Sequence, residues 1–172
     1  MRYLAERKKG FTLIEMLIYI AFLAITSIIA TTSLFTIMRA TTEIRLAQDV
    51  NNSASDALGR IVREIRDAHG IDVIQSDFGV NPGRLVLDTK DASGSDITVD
   101  FHLDSGALKV WQDALYQGSL TASNIQVTNL VFTNITTANS HGIKIDLELV
   151  GTRGNLTKTQ TYYATTILRG EY

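Results

Sequence analysis

Two neighbouring stretches hold the residues whose type and spacing could do chemistry. Arg7, Lys8 and Lys9 form a basic cluster that ends on Gly10, and Glu15 stands inside the apolar run that begins at Phe11. A carboxylate within a membrane-crossing helix costs ~2.5 to 3.5 kcal/mol at the bilayer centre and less near its edge, so something must compensate for it. Gly10 lacks a Cβ, and its backbone can enter a narrow active site in extended conformation at little steric cost. The competing readings are a plain linker at Gly10 and, at Glu15, a snorkelling or protonated side chain with no partner.

The other candidates are weaker. His69, His102 and His141 are far apart without HExxH-like spacing, which leaves a zinc site unsupported and isolated surface or core histidines as the reading. Asp88, Asp91 and Asp96 fail the calcium-loop spacing and lack its glycine and terminal glutamate, which favours a solvated turn. No GxSxG, P-loop or GxGxxG occurs, and the chain has no cysteine, so disulfides, thiolate metal sites and thiol nucleophiles are excluded. No catalytic residue, metal or cofactor is expected, and the chain is not read as an enzyme. Trp111, with Leu108 and Val110, reads as core or cross-strand packing ahead of a ligand platform. Asn134-Ile135-Thr136 fits a glycosylation sequon, which matters only in a host that glycosylates.

The elements that must position these residues divide the chain sharply. Residues 1–10 carry Arg2, Arg7, Lys8 and Lys9 against Glu6, a local +3, which leaves −5 for the rest of a chain whose net charge is −2. An acidic remainder offers no general footprint for nucleic acid, which needs clustered Lys and Arg. Met16 to Met38 are 23 consecutive residues without a charge. At ~1.5 Å per residue that is about 35 Å of helix, enough to cross a hydrocarbon core of ~30 Å. Positive charge ahead of the span keeps the N-terminus in the cytoplasm and sends the C-terminal part across. A-x-A-like cleavage sites after the apolar run are poor, so the helix is read as retained.

Beyond Arg39, apolar residues recur at Ile44, Ala47, Val50, Ala54, Leu58, Ile61, Ile65 and Ala68, the spacing of one amphipathic helical face. With no proline in the stretch and Gly70 as a stop, one helix of about 58 residues from Phe11 is expected. After Ile71 the signals change to β-branched runs at Arg84–Thr89, Ile97–Leu103, Ala107–Gln112, Ile125–Thr133, Ile143–Val150 and Thr159–Leu168. Turn residues fall between them at Asn81-Pro82-Gly83, Asp91–Ser95, Asp104-Ser105-Gly106 and Arg153-Gly154-Asn155, which implies hairpins. The expected class is α+β: a leader at 1–10, a membrane or packed-core helix at 11–38, its amphipathic continuation at 39–70, and a β-rich domain at 71–172.

The stretch KKGFTLIEMLIYIAFLAI, residues 8–25, resembles the N-terminal signal of type IV prepilins and type II secretion pseudopilins: basic residues, Gly, Phe, then Thr-Leu-Ile-Glu in the apolar helix. It covers about the first 30 residues closely, and the amphipathic helix and β-rich end fit the family's pilin-like architecture more loosely. The resemblance implies cleavage between Gly10 and Phe11 by a membrane prepilin peptidase and N-methylation of the new Phe11 amine. It implies that Glu15 pairs with the Phe11 amine of a neighbouring subunit during assembly. It also implies an inner-membrane assembly platform and other pilins or pseudopilins as partners. Many major pilins carry a helix-kinking proline late in the apolar segment, where this chain has Thr31 and Thr32, and the β-domain without cysteines looks more like minor pseudopilins of the J or W type. The alternative within the family is a pilus-tip or competence pilin whose β-domain binds DNA or a surface, which a basic strip around Lys144, Arg153 and Lys158 would favour. A signal-anchored envelope protein that never polymerises is a third reading, in which Glu15 would be incidental.

Overall fold

The computed structural model describes residues 10–137 and 140–169. The leader cations Arg7, Lys8 and Lys9 lie outside the described residues. A single long helix, α1, spans Leu13–Asp67. Eight strands follow: β1 Gly70–Ile71, β2 Arg84–Lys90, β3 Asp96–Asp104, β4 Ala107–Gln112, β5 Leu115–Ser119, β6 Ile125–Thr137, β7 Ser140–Arg153 and β8 Leu156–Ile167. The arrangement is α+β, with antiparallel sheets throughout. The chain divides into two compact units between Thr42 and Glu43.

In the first unit the helix is apolar on all sides and exposed on all sides. Its mean hydropathy reaches 2.3 over an 18-residue window of which none is buried, so it is long and apolar enough to cross a membrane. The hydroxyls along it are satisfied locally: Thr26 Oγ1 donates to the carbonyls of Phe22 and Leu23, Thr32 Oγ1 to those of Ile28 and Ile29, and Thr36 Oγ1 to that of Thr32. Such back-bonding to the preceding turn lets threonine sit in a medium without water. Thr32, where a kinking proline is common in the family the sequence resembles, therefore stays within a continuous helix.

In the second unit, helix residues Leu46, Val50, Ser53, Ala54, Ala57, Ile61 and Ile65 are buried against the sheets. Val50, Ala54, Ile61, Ile65 and Ala68 were expected on this face. Ile44 instead stays 59% exposed, and Ala47 and Leu58 are only half-buried. The buried stripe runs one position to the side, through Leu46, Ser53 and Ala57, because small side chains at three neighbouring positions let the helix approach the sheets closely. The sheets order as β1-β2-β3-β4-β5 and β6-β7-β8. Their inner faces supply Leu85, Leu87, Phe101, Leu108, Leu130, Phe132 and the β7 alternation Ile143, Ile145, Leu147 and Leu149. Each such side chain, fully buried, contributes ~1.5 to 3 kcal/mol.

Close approach between helix and sheet is tightest at Gly151 near the end of β7. A Cβ there would lie 2.6 Å from Val50 Cγ2, 2.9 Å from Leu46 Cδ1 and 3.0 Å from Ile125 Cδ1. Polar ties reinforce the same seam: the Tyr162 hydroxyl donates to Asn51 Oδ1, and Arg66 Nε donates to Thr166 Oγ1 at 3.3 Å.

Two expectations are corrected here. The helix begins at Leu13 and ends at Asp67, short of the expected Phe11 to Gly70, because Thr12 caps its start and Gly70 is already paired with Asp88 in β1. Strands β1 and β5 have no counterpart among the expected runs. β5 is reached through a two-residue turn at Asp113 and Ala114, with φ of 47° and 63°. Left-handed backbone at a residue other than glycine costs about 1 to 2 kcal/mol and gives no Gly or Asn-Gly signal to read.

Candidate functional site

Thr12 opens α1 as its N-cap. Its Oγ1 accepts from the Glu15 amide at 3.3 Å and its carbonyl accepts from the amides of Glu15 and Met16 at 3.1 and 3.2 Å. Thr12-Leu13-Ile14-Glu15 thus has the Thr-x-x-Glu spacing of a capping box, a signal in the sequence that the apolar-run reading passed over. Only the threonine half of the box is made. The Glu15 carboxylate turns the other way and accepts a hydrogen bond from the Tyr19 hydroxyl, one turn further on, at 3.2 Å.

The cap fixes where ordinary chain ends and helix begins. Gly10 and Phe11 lie ahead of it in non-helical backbone, and both are exposed, Phe11 by 70%. A peptide bond in such a stretch can extend into a protease without unwinding a helical turn. Glu15 is the one residue among 10–41 that is not exposed; its neighbours on the helix half-cover it. Phe11 packs edge-on against Tyr19, with ring centroids 6.2 Å apart. Phe11, Glu15 and Tyr19, spaced by four, therefore share one face at the helix start.

Glu15 is four residues from Phe11, about 6 Å along a helix axis. An acceptor at that offset, on a helix with no other charge until Arg39, is placed to meet a cation carried by a second apolar helix displaced by about one turn. No group of three His, Asp or Glu side chains placed to hold a metal ion occurs among the described residues.

The remaining candidates separate. His102 Nδ1 lies 3.2 Å from Asp100 Oδ1, whereas His69 Nε2 is 4.0 Å from Asp96, and the histidines do not converge. Asp91 Oδ1 accepts from Ser93 N at 2.8 Å, Ser93 Oγ at 2.6 Å and Ser95 N at 2.9 Å. Those bonds, led by the Ser93 hydroxyl, hold its carboxyl below the usual carboxylate range, and they are the bonds of a self-capped turn. Thr136 Oγ1 donates to Asn134 Oδ1 within the sequon.

Lys144, Arg153 and Lys158 do not make one strip. Strand alternation puts Lys144 on the opposite face of the β6-β7-β8 sheet from Arg153 and from Lys158, which is registered with Gly151. Lys144 is paired with Asp146 at 2.9 Å and Arg153 with Asp49 at 3.5 Å. Trp111 faces away from the buried Leu108 and Val110. It packs instead against His102 and the cross-strand Tyr116, with centroids 5.9 and 5.3 Å away. The chain was compared with family models, curated proteins and solved structures, and none matches.

Proposed function

We propose that the chain is a prepilin-type subunit, a minor pilin or pseudopilin that is anchored in the cytoplasmic membrane, cut between Gly10 and Phe11 and built into a filament through α1. The observation that carries this reading is one carboxylate, Glu15, one turn into a capped helix whose apolar surface has no partner within the chain. Before assembly that surface is solvated by lipid; afterwards it is covered by the same surface of other subunits, where packing is driven by dispersion rather than by expelling water. Removal of the leader turns the Phe11 nitrogen into an amine, which N-methylation leaves cationic. The Glu15 carboxylate of a neighbour then gains a partner in a medium of low dielectric, where such a pair sets register.

In this scheme the chain is a substrate and a building block. Its partners are a prepilin peptidase, the other pilins or pseudopilins, and an inner-membrane assembly platform. The β-domain lies on the periplasmic or extracellular side.

Because the native chain has no cysteine, topology can be read with single introduced thiols. A membrane-impermeant maleimide, applied to cells whose outer barrier has been opened, is expected to label Ala92→Cys in an exposed turn. It is expected to leave Lys8→Cys unlabelled in a strain lacking the peptidase. Equal labelling of both, or labelling of Lys8→Cys alone, would contradict the orientation.

A further inference from the structure

The outer face of the β2-β3-β4 sheet carries a cleft of about 390 Å³ that the proposed assembly role does not use. Register places Val86, Asp100, Trp111 and Tyr116 in one row across four strands, with Arg84, His102 and Lys109 in the next. Asp100 sits on the floor and is saturated from within: Arg84 Nη2 donates to its Oδ2 at 2.7 Å, Arg84 Nε bridges both oxygens, and His102 Nδ1 lies 3.2 Å from Oδ1. A second cleft of about 400 Å³ shares Arg84 and His102 with the first, so the two form one trough with these side chains between them.

Three independent features converge on the Trp111 side of the trough. The Trp111 Nε1 proton is enclosed and has no acceptor among the described residues, although buried donors are nearly always paired. The β4–β5 ladder slips between Val110 and Trp111, a bulge of the kind that re-aims a side chain. The left-handed turn at Asp113 and Ala114 is pinned to β3, with Asp113 Oδ1 accepting from Thr98 N at 2.8 Å, and it places Ala114 in the cleft lining. Strain concentrated at one rim points to function. The rims themselves are apolar: Ile74, next to the lining residue Gln75, is 93% exposed, and Leu115, next to Ala114, is 68% exposed.

The charges decide what fits. Arg84 and Asp100 neutralise one another, and Asp72 and Asp77 lie close enough to act on the same guanidinium, so the trough offers no net positive field to an anion. The unpaired group is a neutral donor, and the rims are aliphatic rather than the aromatic faces on which sugar rings stack. Arg, Trp and Tyr around a cleft with apolar margins is the composition of a protein-recognition hot spot. We propose that this trough docks an extended, uncharged segment of another polypeptide, a backbone carbonyl of which accepts from the Trp111 indole N–H while its apolar side chains cover Ile74 and Leu115.

The test uses the full chain in detergent, panned with a displayed library of random twelve-residue peptides, and the affinities of enriched peptides measured through the fluorescence of Trp111, the sole tryptophan. Uncharged, apolar sequences are expected to be enriched, and Leu115→Asp is expected to weaken them by about tenfold or more. Trp111→Phe, read by anisotropy of a labelled peptide, should weaken binding to a similar degree while far-UV melting stays near the parent's, because the ring is kept and only the donor is lost. Enrichment of acidic peptides would overturn the proposal in favour of an anion site. Enrichment that Leu115→Asp and Trp111→Phe leave intact, or none above background, would overturn it outright. None of these outcomes depends on whether α1 is processed or assembled.

Discussion

Replacing Glu15 with leucine is expected to make the chain a better membrane anchor and a far poorer filament subunit. Insertion should improve, because a carboxylate is removed from the apolar helix, by up to ~2.5 to 3.5 kcal/mol and by less to the extent that Glu15 lies near the interface. Cleavage after Gly10 should continue, since Gly10 and Phe11 lie outside the helix and ahead of the Thr12 cap. Assembly should fall by at least about tenfold per contact, as expected when one partner of a desolvated pair is deleted and the other charge is left alone. The amount of cleaved subunit recovered in sheared, sedimentable filaments measures this against the cleaved subunit left in the membrane. Undiminished recovery would mean that Glu15 is a bystander, satisfied by Tyr19 within its own chain.

The second large effect belongs to the seam between α1 and β7. Gly151→Ala should lower the stability of the folded β-domain by ~1 to 3 kcal/mol, because the added methyl would sit 2.6 Å from Val50 Cγ2 in a core that cannot yield freely. For a domain of this size that is a loss on the order of 5 to 10 °C in Tm. Val50→Ala alone should also destabilise, by leaving a void, yet it should partly rescue Gly151→Ala, so the double variant is expected to be more stable than the two single effects added. Thermal melts of the four proteins by circular dichroism close the cycle. Strict additivity would mean that the helix does not press on β7 at this point.

How much of this was legible in the sequence differs by element. The apolar helix and its amphipathic continuation follow from 23 uncharged residues and then a helical period, and the structure places them in one helix. Which residues of that period are buried was less legible, because Ser53 and Ala57 are weakly apolar and gain their burial from the close approach that small side chains permit. The hairpin turn at Asp104-Ser105-Gly106 announced itself by composition, whereas the turn at Asp113-Ala114 did not, since neither residue is a usual left-handed one. Trp111 sits in an alternating run from which the strand is evident. The face it occupies becomes a statement about His102, Asp100 and Tyr116 only once the β3-β4-β5 register is known.

The candidate site was legible as residue types and not as geometry. Glu15 stands out as a charge in an apolar run, but its hydrogen bond to Tyr19, its separation from the Thr12 amide and the non-helical state of Gly10 and Phe11 depend on where the helix begins. The Thr-x-x-Glu spacing carried that start point all along. Placing it resolves how one short motif can serve both steps of the proposed scheme: the cap keeps the scissile bond extended, and the same first turn presents the carboxylate.

The central claim is that this chain is processed between Gly10 and Phe11 and kept in the membrane by the helix that follows. Intact-mass spectrometry of the membrane-extracted protein, from cells with and without a prepilin peptidase, tests it most directly. The account predicts a peptidase-dependent product that has lost residues 1–10 and carries one added methyl group on Phe11. A chain of full length in both strains, or one cut beyond the apolar helix, would contradict it.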